Sequence, residues 1–372
     1  MKRSKTSIAF TIIFMLILIL PLLRLDPHGG GVSEEENRVL ASRPSISDAI
    51  HRPIVFIREF DDWFTDNIGF RKRMIELRKN IDRIDRPTQY SDGVNIYLIG
   101  QQGHIYFASE GGRLISKFQG NQYLTDEQLI GLADRLNGIG QFLDERDTPF
   151  LFVICPDKES VYPEYYPRSI HRGPDPIQLE IITEYLRDNS NVNLYNSRQI
   201  LMSEKDNFLV YNRAEGDITH YNAIGGFIEY EEMMRHFSAY FPEMTPFTID
   251  DTNIVYDEDD IPSVSLKEGS SSHLLGSEFF AGLDLIDAFN ESNYVFENKD
   301  PDLPTILIMG DSYTDLFTPF VSQHFGKTII VHYLNIGRFR ELVDLYKPDM
   351  VVIQVAEREL PLFTDNMINY GG

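Results

Sequence analysis

This sequence predicts an α/β fold with a mostly parallel sheet and helices on both faces, on three observations. From residue 125 onward, short β-branched runs alternate with segments of helical period, the pattern of strands joined by helical crossovers. The stretch Thr305-Ile-Leu-Ile-Met-Gly-Asp-Ser-Tyr313 reads as a buried strand, Thr305–Met309, broken at Gly310. A helix follows over Tyr313–Phe325, with Leu316, Phe317, Phe320 and Val321 at helical spacing. Asp349–Val355 is a last apolar run of strand length.

The N-terminal third is organised differently. Met1–Lys5 is basic and Ile8–Leu23 is almost wholly apolar. About 20 apolar residues cross a bilayer, and no small-x-small cleavage site follows Leu23. The expectation is an uncleaved membrane anchor over 1–24, a single pass that leaves residues 25–372 outside the cytoplasm. A signal-peptide core is the alternative. Pro27–Gly31 reads as a linker. Ile54–Ile84 has a helical pattern broken near Gly69, and Val94–Tyr106 reads as a hairpin around a Gly-rich turn. The domain division expected is an anchor over 1–24, a helical and hairpin region over 25–110, and a main α/β domain over 111–372.

Within the main domain, Thr125-Asp-Glu-Gln128 has the capping-box pattern and opens a helix through Phe142. Phe150–Cys155 is a strand, Ile177–Leu186 a helix, Val192–Leu194 a short strand and Ser197–Lys205 a short helix. Phe208–Tyr211 reads as another short strand, and Asn222–Phe241 as a helix with Gly225-Gly226 near its start. Residues 243–300, acidic at Asp257–Asp260 and Ser-rich at Ser270–Ser272, break the rhythm and read as an insertion. Lys327–Tyr333 is a strand and Phe339–Tyr346 a helix.

Composition narrows the function. The formal charge of −23 disfavours nucleic acid as a partner. The single cysteine, Cys155, allows no intrachain disulfide and no cysteine zinc site, and its apolar run suits a buried small residue. Asp217 and His220 offer two metal ligands, but no His-Glu-x-x-His motif accompanies them. No metal and no cofactor is expected.

The chemistry points to a serine. A strand–turn–helix places Ser312 at the carboxyl end of a strand, where unpaired N–H groups at a helix start can stabilise an oxyanion. The competing local reading makes Ser312 a helix N-cap. Serine needs a base, usually histidine oriented by a carboxylate. Among nine histidines, His220 alone combines a loop position after an expected strand with an acid, Asp217, three residues earlier. The competing reading there makes Asp217 the cap of the following helix. Ligands on parallel sheets bind beyond the carboxyl ends of strands, where Lys158 and Arg358 also fall as candidate groove residues. Tyr221 and Tyr313, beside the histidine and the serine, complete the candidate substrate-binding set.

Gly-Asp-Ser after a strand and Asp-x-x-His on a loop are the two signatures of SGNH-type esterases and acyltransferases. Here the Asp217-x-x-His220 block precedes the serine, an order that resembles the alginate O-acetyltransferase AlgJ/AlgX-type family. Further blocks resemble that family in the same order: Glu36-Asn-Arg38 with Leu40 and Pro44; Asp66-Asn-Ile-Gly-Phe-Arg71; Ile99–Phe107; Pro156-Asp-Lys158 with Tyr162-Pro163-Glu164 and Pro167; and Lys347–Val352 with Glu357-Arg358. Two departures stand out. The family reads Asp-x-His-Trp, whereas here Ile218 occupies the acid's place and Tyr221 the tryptophan's. Either one residue is inserted and Asp217 still reaches His220, or the orienting carboxylate is lost.

The resemblance implies an SGNH hydrolase-like fold and an extracytoplasmic O-acetyltransferase acting on an exported or cell-surface polysaccharide. It implies Ser312 as nucleophile, His220 as base and Asp217 as its orienting acid. It also implies a membrane-bound O-acyltransferase partner that supplies the acyl group, since acetyl-CoA is not expected outside the membrane. An acetylesterase with the same triad and a non-catalytic glycan-binding or assembly protein are the alternatives.

Overall fold

The computed structural model describes residues 14–15, 20–21, 23–27, 32–33, 38–45, 47, 49, 52–70, 89–91, 96–108, 113–275, 277–280, 283–286 and 292–370. The chain separates into two compact units, residues 1–86 and 87–372. Most of the expected anchor, Ile8–Leu23, lies outside the described residues. Among the described residues no helix is long and apolar enough to cross a membrane.

In the first unit, β1 (Val32–Ser33) pairs antiparallel with β2 (Arg38–Val39). Helix α1 (Pro53–Asn67) starts on a proline, whose fixed φ suits a first helical position. Phe56, Phe60 and Phe64 recur every fourth residue and stack along one side. The Asp66 carboxylate accepts from Ala41 N, and the Asn67 amide donates to Ala41 O. The helix ends before Gly69. The second half of the expected Ile54–Ile84 pattern lies outside the described residues.

In the second unit, β3 (Gln89–Ser91), β4 (Ile96–Ile99) and β5 (Ile105–Phe107) form a small antiparallel sheet. Its β4–β5 turn holds Gln102 and Gly103 at positive φ, where glycine is the least strained residue. There follow α2 (Arg113–Phe118), α3 (Asp126–Asp144), β6 (Phe150–Cys155), α4 (Lys158–Val161), α5 (Gln178–Asn189), β7 (Asn193–Asn196), α6 (Arg198–Glu204) and α7 (Ala223–Phe237). Next come β8 (Thr252–Tyr256), β9 (Pro262–Leu266), β10 (Ser272–Leu275), β11 (Tyr294–Asn298), β12 (Thr305–Gly310), α8 (Thr314–Val321), β13 (Lys327–His332), α9 (Phe339–Tyr346), β14 (Met350–Ala356) and α10 (Leu360–Tyr370). The Thr125 capping box forms as expected, with Gln128 and Thr125 satisfying each other's backbone N–H.

The central sheet has seven strands in the order β10-β11-β13-β12-β14-β6-β7. The five from β13 to β7 run parallel. Their apolar residues alternate between two covered faces, as a sheet buried on both sides requires. Leu307, Met309, Ile329, Val351, Ile353, Phe152 and Ile154 join the core containing α3, α5, α9 and α10. Ile306, Ile308, Ile330, Val352, Leu151, Val153 and Cys155 join the core containing α7 and α8.

Two differences from the sequence reading have physical causes. The sheet is mixed, because β10 and β11, from the stretch read as an insertion, extend it antiparallel. An antiparallel strand with one open face carries a weak apolar pattern, and β10, at the sheet edge, opens on Ser272 and His273. Phe208–Tyr211 is irregular and belongs to no strand. Val210 and Tyr211 are buried, and the Val210 backbone is satisfied by the Tyr162 hydroxyl and by Asn222 N, so its apolar character reflects burial alone.

Helices α7 and α8 meet at Gly226, where a Cβ would stand 2.4 Å from Leu316 O. Alanine favours a helix interior by about 1 kcal/mol over glycine. Forcing apart packed backbone costs about 1–3 kcal/mol or more, so the clash wins. Gly226→Ala is expected to lower the urea midpoint of unfolding without changing the slope; an unchanged or raised midpoint contradicts the packing described.

Candidate functional site

Three adjacent parallel strands, β12, β14 and β6, end on the same side of the sheet, β12 two residues short of the other two. Met309 is opposite Ile353 and Ala356 opposite Cys155. Two residues beyond the ends of these strands lie Ser312, Arg358 and Asp157. The turn after β12 is fixed by Asp311, which is buried. Its carboxylate accepts from Ala356 N at 2.5 Å, Gln354 Nε2 at 3.1 Å and Tyr313 N at 3.0 Å. Ser312 is not the N-cap of α8. That position is Tyr313, and Thr314 N bonds Asp311 O. The serine hydroxyl is free to point elsewhere.

It points at His220. Ser312 Oγ lies 2.7 Å from His220 Nε2, and Asp217 Oδ2 lies 2.5 Å from His220 Nδ1. Asp217 is not the cap of the following helix either. Asn222 caps α7, its side chain accepting from Ile224 N and Gly225 N. The other Asp217 oxygen accepts from Thr219 N at 2.8 Å, Thr219 Oγ1 at 2.8 Å and His220 N at 3.2 Å.

Arg358 brings a second donor to the imidazole: its Nη2 is 3.2 Å from Nε2. A guanidinium has no acceptor, so Nε2 is the lone-pair nitrogen and Nδ1 carries the proton toward Asp217. This tautomer can take the serine proton. Burial pushes the Asp217 carboxyl up, but the hydrogen bond from His220, the charge of that ring once protonated, and the two bonds from Thr219 outweigh it and hold the group well below the usual carboxylate range.

Three residues expected to line a groove are instead buried. Lys158 is 3 % exposed, and its ammonium donates to Ile105 O, Asn212 O and Arg213 O at 2.5–2.9 Å. Burial pushes it down to about 7, with Glu159 acting the other way, yet three acceptors match the three N–H donors of the charged form. Lys158 thus anchors the segment leading to Asp217. Tyr221 and Tyr313 are buried and packed edge-to-face at 4.7 Å. The Tyr313 hydroxyl donates to Thr219 O at 3.0 Å, and the His220 ring packs against the Tyr313 ring. They brace the histidine loop. Cys155 is buried, and burial pushes its thiol up.

Sequence reasoning missed Asp311, Thr219, Asp157 and Lys117. Asp311 and Asp157 sit inside the Gly-Asp-Ser and Pro-Asp-Lys stretches. Nothing in the Arg113–Phe118 segment marks Lys117 as buried.

No protein-family model matches the chain, and no curated protein sequence matches it. Solved structures do. PatB1 of Bacillus cereus superposes with a TM-score of 0.54 at 14 % identity, covering 74 % of this chain and 99 % of that one. A DHHW family protein from Eubacterium siraeum gives 0.52 at 11 % identity, covering 76 % and 97 %. The O-acetyltransferase domain of Pseudomonas putida AlgJ, at a TM-score of 0.42, 14 % identity and 73 % and 98 % coverage, superposes too loosely to establish a shared fold. About three quarters of the chain therefore shares the mixed α/β fold of PatB1 and of the DHHW protein.

Because Asp217 ionises more readily folded than unfolded, it adds stability above its ordinary pKa of 3.8, lost as pH falls through the lower folded value. Asp217→Asn removes that dependence. Between pH 7 and 3 the wild type is expected to lose more stability than the variant, measured by denaturant titration at each pH; parallel curves contradict the depressed carboxyl.

Proposed function

We propose that this protein is an extracytoplasmic O-acetyltransferase acting on hydroxyls of an exported or cell-surface polysaccharide through a serine acyl-enzyme. The observation that carries the reading is the hydrogen-bonded set Asp217–His220–Ser312, with contacts of 2.5 and 2.7 Å. Support of a second kind comes from the fold shared with PatB1, one solved form of which carries a sulfonyl adduct, and from the motif order described above.

His220 Nε2 takes the Ser312 proton as Oγ attacks the carbonyl carbon of an acetyl donor. The carbonyl π pair moves onto oxygen, and the Ser312 backbone N–H beside α8 donates to it. Collapse breaks the bond to the leaving oxygen, which takes the proton from Nε2. The acetyl-serine is then resolved by a sugar hydroxyl, whose proton passes to Nε2 as its oxygen bonds the acetyl carbon; the Ser312 Oγ–acetyl bond then breaks and Nε2 returns the proton to Oγ. Asp217 holds the imidazole in the active tautomer and stabilises it when charged. The donor is supplied by a membrane-bound O-acyltransferase partner, and residues 1–24 anchor the chain beside it.

Ser312→Ala in the purified protein is expected to abolish acetyl transfer from a small acetyl ester while leaving the melting curve in place. Asp217→Asn is expected to cost up to about four orders of magnitude in turnover, the loss seen when a serine protease loses its orienting aspartate. Wild-type turnover in Ser312→Ala sinks the acyl-enzyme. Near-normal turnover in Asp217→Asn reduces the site to a dyad. Release of ester acetyl only to water, whatever glycan is supplied, makes it an esterase. Deleting residues 1–24 is expected to move the protein from the membrane to the soluble fraction, and retention in the membrane removes that segment as the anchor.

A further inference from the structure

Behind Arg358 lies a group of buried charges that the transfer chemistry above does not use. Arg358 Nη1 donates to Asp157 Oδ1 at 3.1 Å. The other oxygen of Asp157 accepts from Lys117 Nζ at 2.7 Å. Lys117 also meets Glu357 at 2.9 Å and Glu159 at 3.1 Å, and all these side chains except Arg358 are at most 3 % exposed. Glu357 in turn accepts from Asp157 N at 2.9 Å and Ser160 Oγ at 2.7 Å. The centre of this set of three carboxylates is thus occupied by an ammonium.

Two cations face three carboxylates, so one carboxylate is in excess. Glu159 is that group. Burial pushes it up to about 7, Lys117 pulls it back, and Asp157 and Glu357 add to the rise. One of its oxygens, close to Lys117, makes no hydrogen bond. With Glu159 protonated, Lys117 and Arg358 balance Asp157 and Glu357. Burying such a set costs several interactions with water and gives little net stability compared with apolar packing. What it gives is geometry: Asp157 is gripped from both sides, so the guanidinium it holds has a fixed direction.

That direction is toward the reacting atoms. Arg358 Nη2 meets His220 Nε2, and its Nη1 also meets Thr219 O and the Tyr313 hydroxyl, both at 3.0 Å. Once Nε2 takes the Ser312 proton it can no longer accept from Arg358. Nη2 is then a donor without an acceptor, at the same ring nitrogen that Ser312 Oγ meets.

We propose that Lys117 and Asp157 form a buried clamp that positions Arg358 as the second oxyanion donor of the acetyl transfer. This rests on the proposed serine acyl-enzyme. Lys117 and Asp157 touch no substrate and are positioning residues. Arg358 alone changes partner, from the resting imidazole to the charged acyl oxygen.

A double-mutant cycle with a small acetyl ester tests the clamp. Arg358→Ala is expected to lower kcat by about 100-fold with little change in KM, the usual effect of losing one oxyanion donor. Asp157→Asn is expected to lower kcat by about tenfold or more, as outer partners of reactive groups do. It keeps the fold, because losing Asp157 removes one cause of the rise at Glu159, which then ionises and with Glu357 matches the two cations. In the Arg358→Ala background, Asp157→Asn is expected to change kcat by less than about twofold, since the aspartate then has nothing to position. Multiplied losses in the double variant overturn the clamp, because a purely structural aspartate would act independently of Arg358.

Should Asp157→Asn not fold, Arg358→Lys decides. Lysine keeps the charge but has no fork to meet Asp157 and His220 together, so a loss near that of Arg358→Ala is expected, and wild-type kcat overturns the proposal. Ser312→Ala in the same assay separates the two failures. If it is fully active the acyl-enzyme itself fails, and if it is inactive while the cycle is additive only the clamp fails.

Discussion

The arrangement depends on one buried carboxylate, Asp311. A charge with no access to water must be met by donors or it unfolds its surroundings. Asp311 finds three: the backbone N–H of Ala356, the amide of Gln354 and the N–H of Tyr313. Two belong to β14 and one to its own turn. The bonds therefore tie the end of β12 to the end of β14 and set the backbone on which Ser312 sits. Gln354 closes the pair by accepting from Asp311 N. Since Arg358 follows Ala356 by two residues, the same bonds place the guanidinium. One side chain thereby sets the relative position of a hydroxyl and a cation that lie far apart in sequence.

The histidine arrives by a different route, on an irregular loop that no strand holds. Such loops are precise only where their backbone groups are occupied. Lys158 takes the carbonyls of Asn212 and Arg213, Asn212 takes that of Asp217, and Tyr313 takes that of Thr219. At the loop's far end Asn222 caps α7 and donates to Leu209 O. Helix α7 then packs through Gly226 against α8, the helix that begins just after Ser312. His220 and Ser312 are thus joined twice, through the Tyr313 hydroxyl and through the helix pair.

What was legible in the sequence follows from how many partners each signal needs. The five parallel strands are apolar on both faces, so their runs stand out without knowledge of neighbours. Ser312 and His220 were legible because chemistry restricts them to strand ends and loops. The strands β10 and β11 were not, since β10 is an edge strand defined by its one pairing, with Leu274 exposed, and β11 is defined by its pairing to β10 and β13. Lys158, Tyr221 and Tyr313 were placed in the right region but on the wrong side of the surface. A lysine or tyrosine reads as exposed unless one knows which carbonyls await it. Lys117 was invisible for the same reason: its partners lie on α4 and beyond β14, and only the fold assembles them.

Asp217 shows how a carboxylate three residues before a histidine can still meet its ring. With one more residue between acid and base than the related motif has, a straight chain would carry the carboxylate past the imidazole. Here the extra residue is taken up by a turn. One oxygen of Asp217 accepts from the backbone N–H groups of Thr219 and His220, the local bonding that short acidic side chains make in turns. This curls the segment back on itself and leaves the second oxygen facing Nδ1. Thr219 reinforces the turn with its hydroxyl, something the hydrocarbon side chain of Ile218 cannot do. Ile218, in the position where the related motif carries its acid, is turned into the interior and is buried. Contact between carboxylate and imidazole is thereby tied to the direction of one carboxylate oxygen, and a chain can meet that requirement at more than one spacing when its own backbone supplies the donors.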